Sequence, residues 1–254
     1  MAALSNNTGS DLDANRIPPT PGSATNDSKV ANSANVKALV KSSYGDIAER
    51  YLEWSTSNPS PRLEYLQYLL ERLPAPEQGN PKPRILELGC GAGVPATQHM
   101  VSKGFEVTAN DLSSTQIQLA RKRVTGGPGS VEFIHGDMME LDFPGGTFNG
   151  VMAFYSIFHV PRGEQEVLIR RISGWLKAGG YLLITLGATD GSSEGFQCEF
   201  LGEDMYYSCY SEKAYGKILA REGFEVSRME VREEEEHGES VRFLWVLAKK
   251  EEIA

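Results

Sequence analysis

Between Arg84 and Leu186 the chain alternates strand-like apolar runs with amphipathic helical ones, and this alternation constrains its fold more than any other feature. The strand-like runs are 84–88, 105–109, 131–135, 148–154 and 181–186. The helical ones are 94–103, 113–124, opened by Ser113 as its N-cap, and 163–176. Strands separated by helices of this length need right-handed crossovers, which lay the strands side by side in a mostly parallel sheet. Beyond them a helix over 211–222 stops at Gly223, and strand runs at 224–231 and 241–249 flank the acidic stretch Glu233 to Glu236 and His237-Gly238. Those two runs predict an antiparallel hairpin. The acidic stretch reads as a solvated turn in preference to a metal site.

The N-terminal part is of another kind. Residues 1–35 are rich in Asn, Ser, Thr, Ala and Pro, with too few large apolar residues to offset the entropy of ordering, and predict a disordered tail. The alternative for this tail is a flap that orders over a site on binding. From Val36 apolar residues recur at helical spacing, in Tyr44, Ile47, Ala48, Tyr51, Leu52 and Trp54. After the break at Asn58-Pro59-Ser60-Pro61 a second helix carries Leu63, Leu66, Leu69, Leu70 and Leu73 on one face. Residues 36–76 are therefore expected as a helical cap, joined by the linker Pro74 to Pro83 to an α/β core over 84–250, all within one domain spanning 36–254.

The formal charge of −9 disfavours a phosphate backbone as partner. Three cysteines, Cys90, Cys198 and Cys209, form neither a disulfide framework nor a zinc pattern. The first residues lack the basic start and apolar run of a secretory signal, and no apolar stretch nears the roughly 20 residues that cross a bilayer. The expectation is a cytoplasmic protein with no membrane partner.

Chemistry concentrates in Glu87-Leu88-Gly89-Cys90-Gly91-Ala92-Gly93, placed after a strand and before a helix, where backbone approaches a ligand closely and helix N–H groups point outward. A dinucleotide loop needs a third glycine where this chain has Val94, and offers Gly93 instead. Glu87 would repel a pyrophosphate but suits a ligand carrying an ammonium group. Asp111 ends the second strand, where a carboxylate holds a ribose diol, for dinucleotides and adenosyl ligands alike. Asp137 follows the third strand, where an acid can accept from an adenine amino group while Met138 covers the ring; alone it would equally be a loop carboxylate or a helix cap.

These signals, in this order, resemble the class I S-adenosylmethionine-dependent methyltransferases, over about Tyr44 to Lys249. The segment Lys177-Ala178-Gly179-Gly180 is similar to that family's L-K-P-G-G turn, with Ala178 in place of the proline. The resemblance implies a doubly wound α/β fold: a mostly parallel seven-stranded sheet, Rossmann-like, whose last strand is antiparallel, under the helical cap. It implies S-adenosyl-L-methionine as cofactor. Glu87, Gly89, Gly91 and Gly93 would line its methionine end and Tyr44 would approach the methionine moiety. Asp111 would hold the ribose, Leu112 would lie beside the adenine, Asp137 and Met138 would bind it, and Phe154 would sit nearby.

The place after strand four reads Ala153-Phe154-Tyr155-Ser156-Ile157-Phe158-His159, without the [D/N]-P-P-[Y/F/W] turn of enzymes that methylate nucleic-acid amines or glutamine amides. It also lacks the acids of metal-assisted catechol-type enzymes, so no metal is expected. Tyr155 to Pro161 and Leu201 to Ser208 look like a subset that acts on small molecules, common among microbial and fungal natural-product enzymes. The implied reaction is methyl transfer to O, S or N of a small organic acceptor. His159 is the candidate general base, or a structural histidine capping the next helix. Tyr51, Tyr155, Phe196, Tyr206 and Tyr207, with Tyr44, form an acceptor wall or ordinary core. Three other roles stay open: a methyltransferase fold recruited for cyclisation or isomerisation, a regulatory partner subunit, and an enzyme acting on protein or RNA. The oligomeric state is not legible here.

Overall fold

The computed structural model describes residues 33–58, 60–236 and 239–252, of which 196–199 by backbone alone. The expected tail lies outside these residues up to position 32, and 33–35 already belong to a helix. Helices α1 (Ser33–Asp46), α2 (Ala48–Ser57) and α3 (Arg62–Leu70) come first. The single helix expected through Tyr44 and Trp54 is two, because Ile47 leaves helical geometry (φ −95°, ψ 3°) to bury its side chain completely.

The core then runs β1 (Arg84–Leu88), α4 (Ala96–Ser102), β2 (Glu106–Asp111), α5 (Ser114–Arg123), β3 (Ser130–His135) and β4 (Phe148–Ala153). A 3₁₀ turn (Ile157–His159), α6 (Arg162–Trp175) and β5 (Leu176–Gly187) follow. The chain closes with β6 (Ser193–Phe200), β7 (Glu203–Cys209), α7 (Glu212–Arg221), β8 (Phe224–Glu236) and β9 (Glu239–Lys250). Seven strands form one sheet in the order β3-β2-β1-β4-β5-β9-β8. β1 to β5 are parallel and β9 is antiparallel to both β5 and β8, so the expected sheet is the observed one.

The winding reverses between β1 and β4, and in such sheets a crevice opens at the carboxyl ends of the strands at that point. The central strands are apolar on both sides because helices cover both. On one face Leu168, Ile169 and Ile172 of α6 pack with Tyr215 and Leu219 of α7. On the other, Tyr65, Leu66 and Leu69 of α3 join Met100 of α4 against Met152, Leu183 and Trp245.

Two features depart from expectation. β6 and β7 form a separate two-stranded antiparallel sheet, which the Gly-, Ser- and Glu-rich composition of 191–195 conceals. The acidic stretch is not a turn: β8 continues through Glu236, paired residue by residue with β9 as far as Glu236 against Glu239. Pairing overrides the poor strand propensity of four consecutive glutamates. β8 also carries a bulge at Ser227, between the pairs Val226–Ala248 and Arg228–Leu247. Phe224, before the bulge, packs on the α6/α7 face; after it Met229 and Val231 take that face and Glu234 reaches Trp245 on the other.

Behind the strand ends the fully buried Gln165 ties three elements together. Its Nε2 lies 3.2 Å from the Ile157 carbonyl, 3.1 Å from that of Val160 and 2.9 Å from the Ser208 Oγ, while its Oε1 accepts from the Tyr215 hydroxyl at 2.6 Å. Gln165→Leu keeps the volume but strands buried polar groups around the 3₁₀ turn. It should cost about 2–4 kcal/mol in urea denaturation.

Candidate functional site

The glycine loop lies at the crevice, and its three glycines have different duties. A Cβ on Gly89 would fall 2.3 Å from Ser156 Cβ, and one on Gly93 would fall 2.5 Å from Val124 Cγ2 at the end of α5. Those two glycines let neighbouring elements close up, and Gly93 does not line the cleft. Gly91 is the one that faces open space: its φ is +54°, and the nearest atoms to a Cβ there are Gln116 Oε1 at 3.8 Å and Tyr51 Cε1 at 3.9 Å. A ligand can lie flat against its backbone.

The loop is locked to the second strand by Asp111, whose Oδ2 accepts from the Gly91 N–H and whose Oδ1 accepts from the Ser113 N–H, both at 2.8 Å. Burial nevertheless raises its carboxyl to about 6, against the pull of those two donors. Glu87 is more extreme. It is almost fully buried, accepts from the Thr97 hydroxyl, and is raised by desolvation to about 8 although Thr97 and Arg62 favour its ionised form. A desolvated carboxylate with one neutral donor is suited to receive an ammonium group.

The cleft encloses about 1030 Å³ including its open mouth. Among the expected cofactor residues it is lined by Tyr44, Glu87, Gly89, Gly91, Asp111, Leu112, Asp137, Met138 and Phe154. Asp137 is not free: Lys37 of α1 bridges it, at 2.8 Å, to Glu164 of α6, at 2.7 Å, and its Oδ1 accepts from the Met139 N–H at 2.8 Å.

His159 sits behind Tyr44. Its Nδ1–H donates to the Tyr206 carbonyl at 2.8 Å, which leaves Nε2 to accept from the Tyr44 hydroxyl at 2.8 Å. Burial lowers its pKa to about 4, so the ring is neutral at pH 7. Tyr155 has a left-handed backbone (φ 52°), the kind of strain that functional sites retain. Its hydroxyl donates to Glu234 at 2.6 Å. Tyr51, Tyr155 and Tyr207 line a second chamber beside the cleft. Tyr206 does not: its ring packs on Val36 and Val40 of α1 and its hydroxyl donates to Glu194. The side chain of Phe196 lies outside the described residues.

The fold also brings in residues that no motif announced. Arg62 is buried, donates to the Tyr51 hydroxyl at 3.2 Å and lies 4.4 Å over the Tyr155 ring. Gln116 is 1% exposed, lines the cleft, and has neither amide atom paired. A buried amide left unsatisfied beside Asp111 and Gly91 fits a ligand with hydroxyl groups, such as a ribose. Only its place one helical turn after the Ser113 cap could have marked it. Among the described residues no group of three or more His, Cys, Asp or Glu is set to hold a metal ion, and no helix is long and apolar enough to cross a membrane.

Glu87 sets a trade between stability and binding. Its ordinary value is 4.5 and its folded value about 8, so the fold loses stability as pH rises across that window and the full cost stands above it. Glu87→Gln should therefore stabilise the ligand-free protein at pH 8.5 by about 1–3 kcal/mol in thermal denaturation. The same change should weaken S-adenosylmethionine binding about tenfold or more by calorimetry. Gln116→Leu should lower that affinity by roughly five- to tenfold without loss of stability, since it removes two unpaired buried atoms.

Residues 85–180 match the family model described as "Methyltransferase domain". The chain is 29% identical over 145 residues to phosphoethanolamine N-methyltransferase 3 of Arabidopsis thaliana, a stretch covering 57% of this chain and 29% of that protein. It is 27% identical over 173 residues to (+)-O-methylkolavelool synthase of Herpetosiphon aurantiacus, covering 66% and 59%. The chain thus spans less than a third of the plant relative's length. Among solved structures, the 1,6-didemethyltoxoflavin-N1-methyltransferase of Burkholderia thailandensis, with S-adenosylhomocysteine bound, superposes with a TM-score of 0.66 at 20% identity, covering 89% of this chain and 93% of that one. The family model, the sheet order and the cleft around Gly91 and Asp111 agree: residues 85–180 belong to a methyltransferase domain, on the fold of the S-adenosylmethionine-dependent methyltransferases.

Proposed function

We propose that this chain transfers the methyl group of S-adenosylmethionine to an oxygen, sulfur or nitrogen atom of a small organic acceptor. The observation that carries the reading is the junction of two cavities. The cofactor cleft and a second chamber, of about 530 Å³ including its open mouth, share Tyr44, Tyr51, Ser55, Arg62 and Tyr155. A cofactor in one and an acceptor in the other would meet at that boundary. The relatives' names, which specify phosphoethanolamine, kolavelool and toxoflavin-type acceptors, support the size class.

Glu87, Gly91, Asp111, Gln116, Asp137 and Met138 would hold the cofactor, with Leu112 and Phe154 beside it. When bound, S-adenosylmethionine supplies a methyl group already activated by a positively charged sulfur. The chain has then to align the acceptor and exclude water from it, which α1 and α2 do by roofing the boundary with Tyr44 and Tyr51. His159 acts through Tyr44. By accepting the phenolic hydrogen it turns the lone pairs of the Tyr44 oxygen toward the cavity, where they can accept a hydrogen bond from the acceptor's O–H, S–H or N–H. His159 is thus a positioning residue, and its low pKa suits a neutral acceptor of that hydrogen bond.

Incubation with S-adenosylmethionine and a panel of small alcohols, phenols, thiols and amines should release S-adenosylhomocysteine above the acceptor-free rate. An intact protein that fails to bind S-adenosylmethionine in calorimetry would refute the reading. Tyr44→Phe should cut kcat about 10²-fold, a typical share for a positioned proton-handling group, while S-adenosylhomocysteine affinity stays within about threefold.

A further inference from the structure

The second chamber has a composition that the cofactor does not need. One side is built from Tyr51, Trp54 and Phe200, with Tyr51 and Trp54 stacked at 6.0 Å and Trp54 edge-on to Phe200 at 5.5 Å. The other is built from Phe158, Tyr207 and Phe243, with Phe158 stacked on Tyr207 at 5.6 Å and on Phe243 at 5.8 Å. Three carboxylates of β8 complete the lining, Glu234 and Glu236 partly buried and Glu235 exposed, while Glu233 is exposed and not part of it.

The charges within the chamber do not cancel. Glu234 is engaged: it accepts from the Tyr155 hydroxyl at 2.6 Å and from the Trp245 indole N–H at 3.0 Å. The one cation that lines it among the described residues, Arg62, is spent on the Tyr51 hydroxyl and the Tyr155 ring, and offsets Glu234. Glu236 has no hydrogen-bond or ion-pair partner among the described residues. Burial and the neighbouring Glu234 raise its carboxyl to about 7, against the weaker pull of Arg62. An unpaired, half-desolvated carboxylate is costly, and aromatic faces attract cations and not anions. A ligand with a positive charge would relieve the first and use the second.

We propose that the acceptor carries an ammonium group, and that this group is seated in the second chamber between the aromatic walls and the Glu236 carboxylate. The proposal deepens the methyl-transfer reading and rests on it. It narrows the acceptor class to amines and leaves the cofactor end unchanged.

The test uses the protein saturated with S-adenosylhomocysteine and three probes of similar size and different charge: 2-phenylethylamine, 2-phenylethanol and 3-phenylpropionate. Calorimetric titration should show the amine binding roughly tenfold or more tightly than the alcohol, with the carboxylate weakest. Glu236→Gln should bring the amine to the level of the alcohol, and Glu233→Gln, exposed and outside the chamber lining, should not. Both variants should keep the wild-type S-adenosylhomocysteine affinity and a Tm no lower than the wild type's. Glu236→Ala serves as a second variant should the first fold poorly. Absence of amine binding, equal or tighter binding of the alcohol or the carboxylate, or an amine preference that survives both Glu236 changes would overturn the proposal alone. Failure of the wild type to bind S-adenosylhomocysteine would overturn the methyl-transfer reading and the proposal with it.

Discussion

Around the glycine loop, the ends of β1 and β2, the segment after β4 and the end of α5 come together with no room for side chains between them. Gly89 lies flush against Ser156, Gly93 lies flush against Val124 and Ala120, and the Gly91 N–H is clamped on Asp111. The rest of the site hangs from this contact. It holds Gly91 with its bare backbone toward the cleft and fixes the direction of the Asp111 carboxylate. The Ser156 hydroxyl, bonded to the Leu88 carbonyl at 2.8 Å, anchors the start of the turn that carries His159.

That geometry is bought with desolvation. Glu87 and Asp111 are carboxylates held in a place where water cannot reach them well, and both are pushed upward as a result. Buried groups with strongly shifted values and incomplete partners mark sites whose missing partner is a ligand. The amide of Gln116 fits the same pattern without any charge. The cleft therefore gathers unmet polar demands, in contrast to the buried Gln165, whose amide is fully bonded.

The strand–helix alternation made the sheet legible, because both periods are strong between Arg84 and Leu186 and the crossover rule leaves few topologies. Most of the cleft lining was legible for a related reason: those residues sit at strand ends, and strand ends can be found from the pattern. The β6/β7 sheet was not legible, since its first strand opens on polar and glycine residues. Neither were Arg62, Gln116 and Glu236, whose importance depends on what lies opposite them in space. Tyr206 shows the converse error. Its neighbour Tyr207 faces the chamber, and in a strand two adjacent aromatics cannot point the same way. His159 stands out for its chemistry, but only the distance to Tyr44 shows that its ring sits behind another residue.

The bulge at Ser227 gives β8 two phases. Phe224 and Glu234 have the same parity along the chain, yet one is packed under α6 and α7 and the other bonds Trp245 on the opposite face. A strand without the extra residue would have to give up one of the two. The sign of the chamber's charge is thus a property of spacing as much as of composition. A one-residue insertion or deletion upstream, more than 20 Å of extended chain from Glu236 at about 3.3 Å per residue, could trade Glu234 and Glu236 for Glu233 and Glu235 and shift where the negative charge sits. In a lineage that varies its acceptors, the length of this strand is a lever that moves independently of the cofactor cleft.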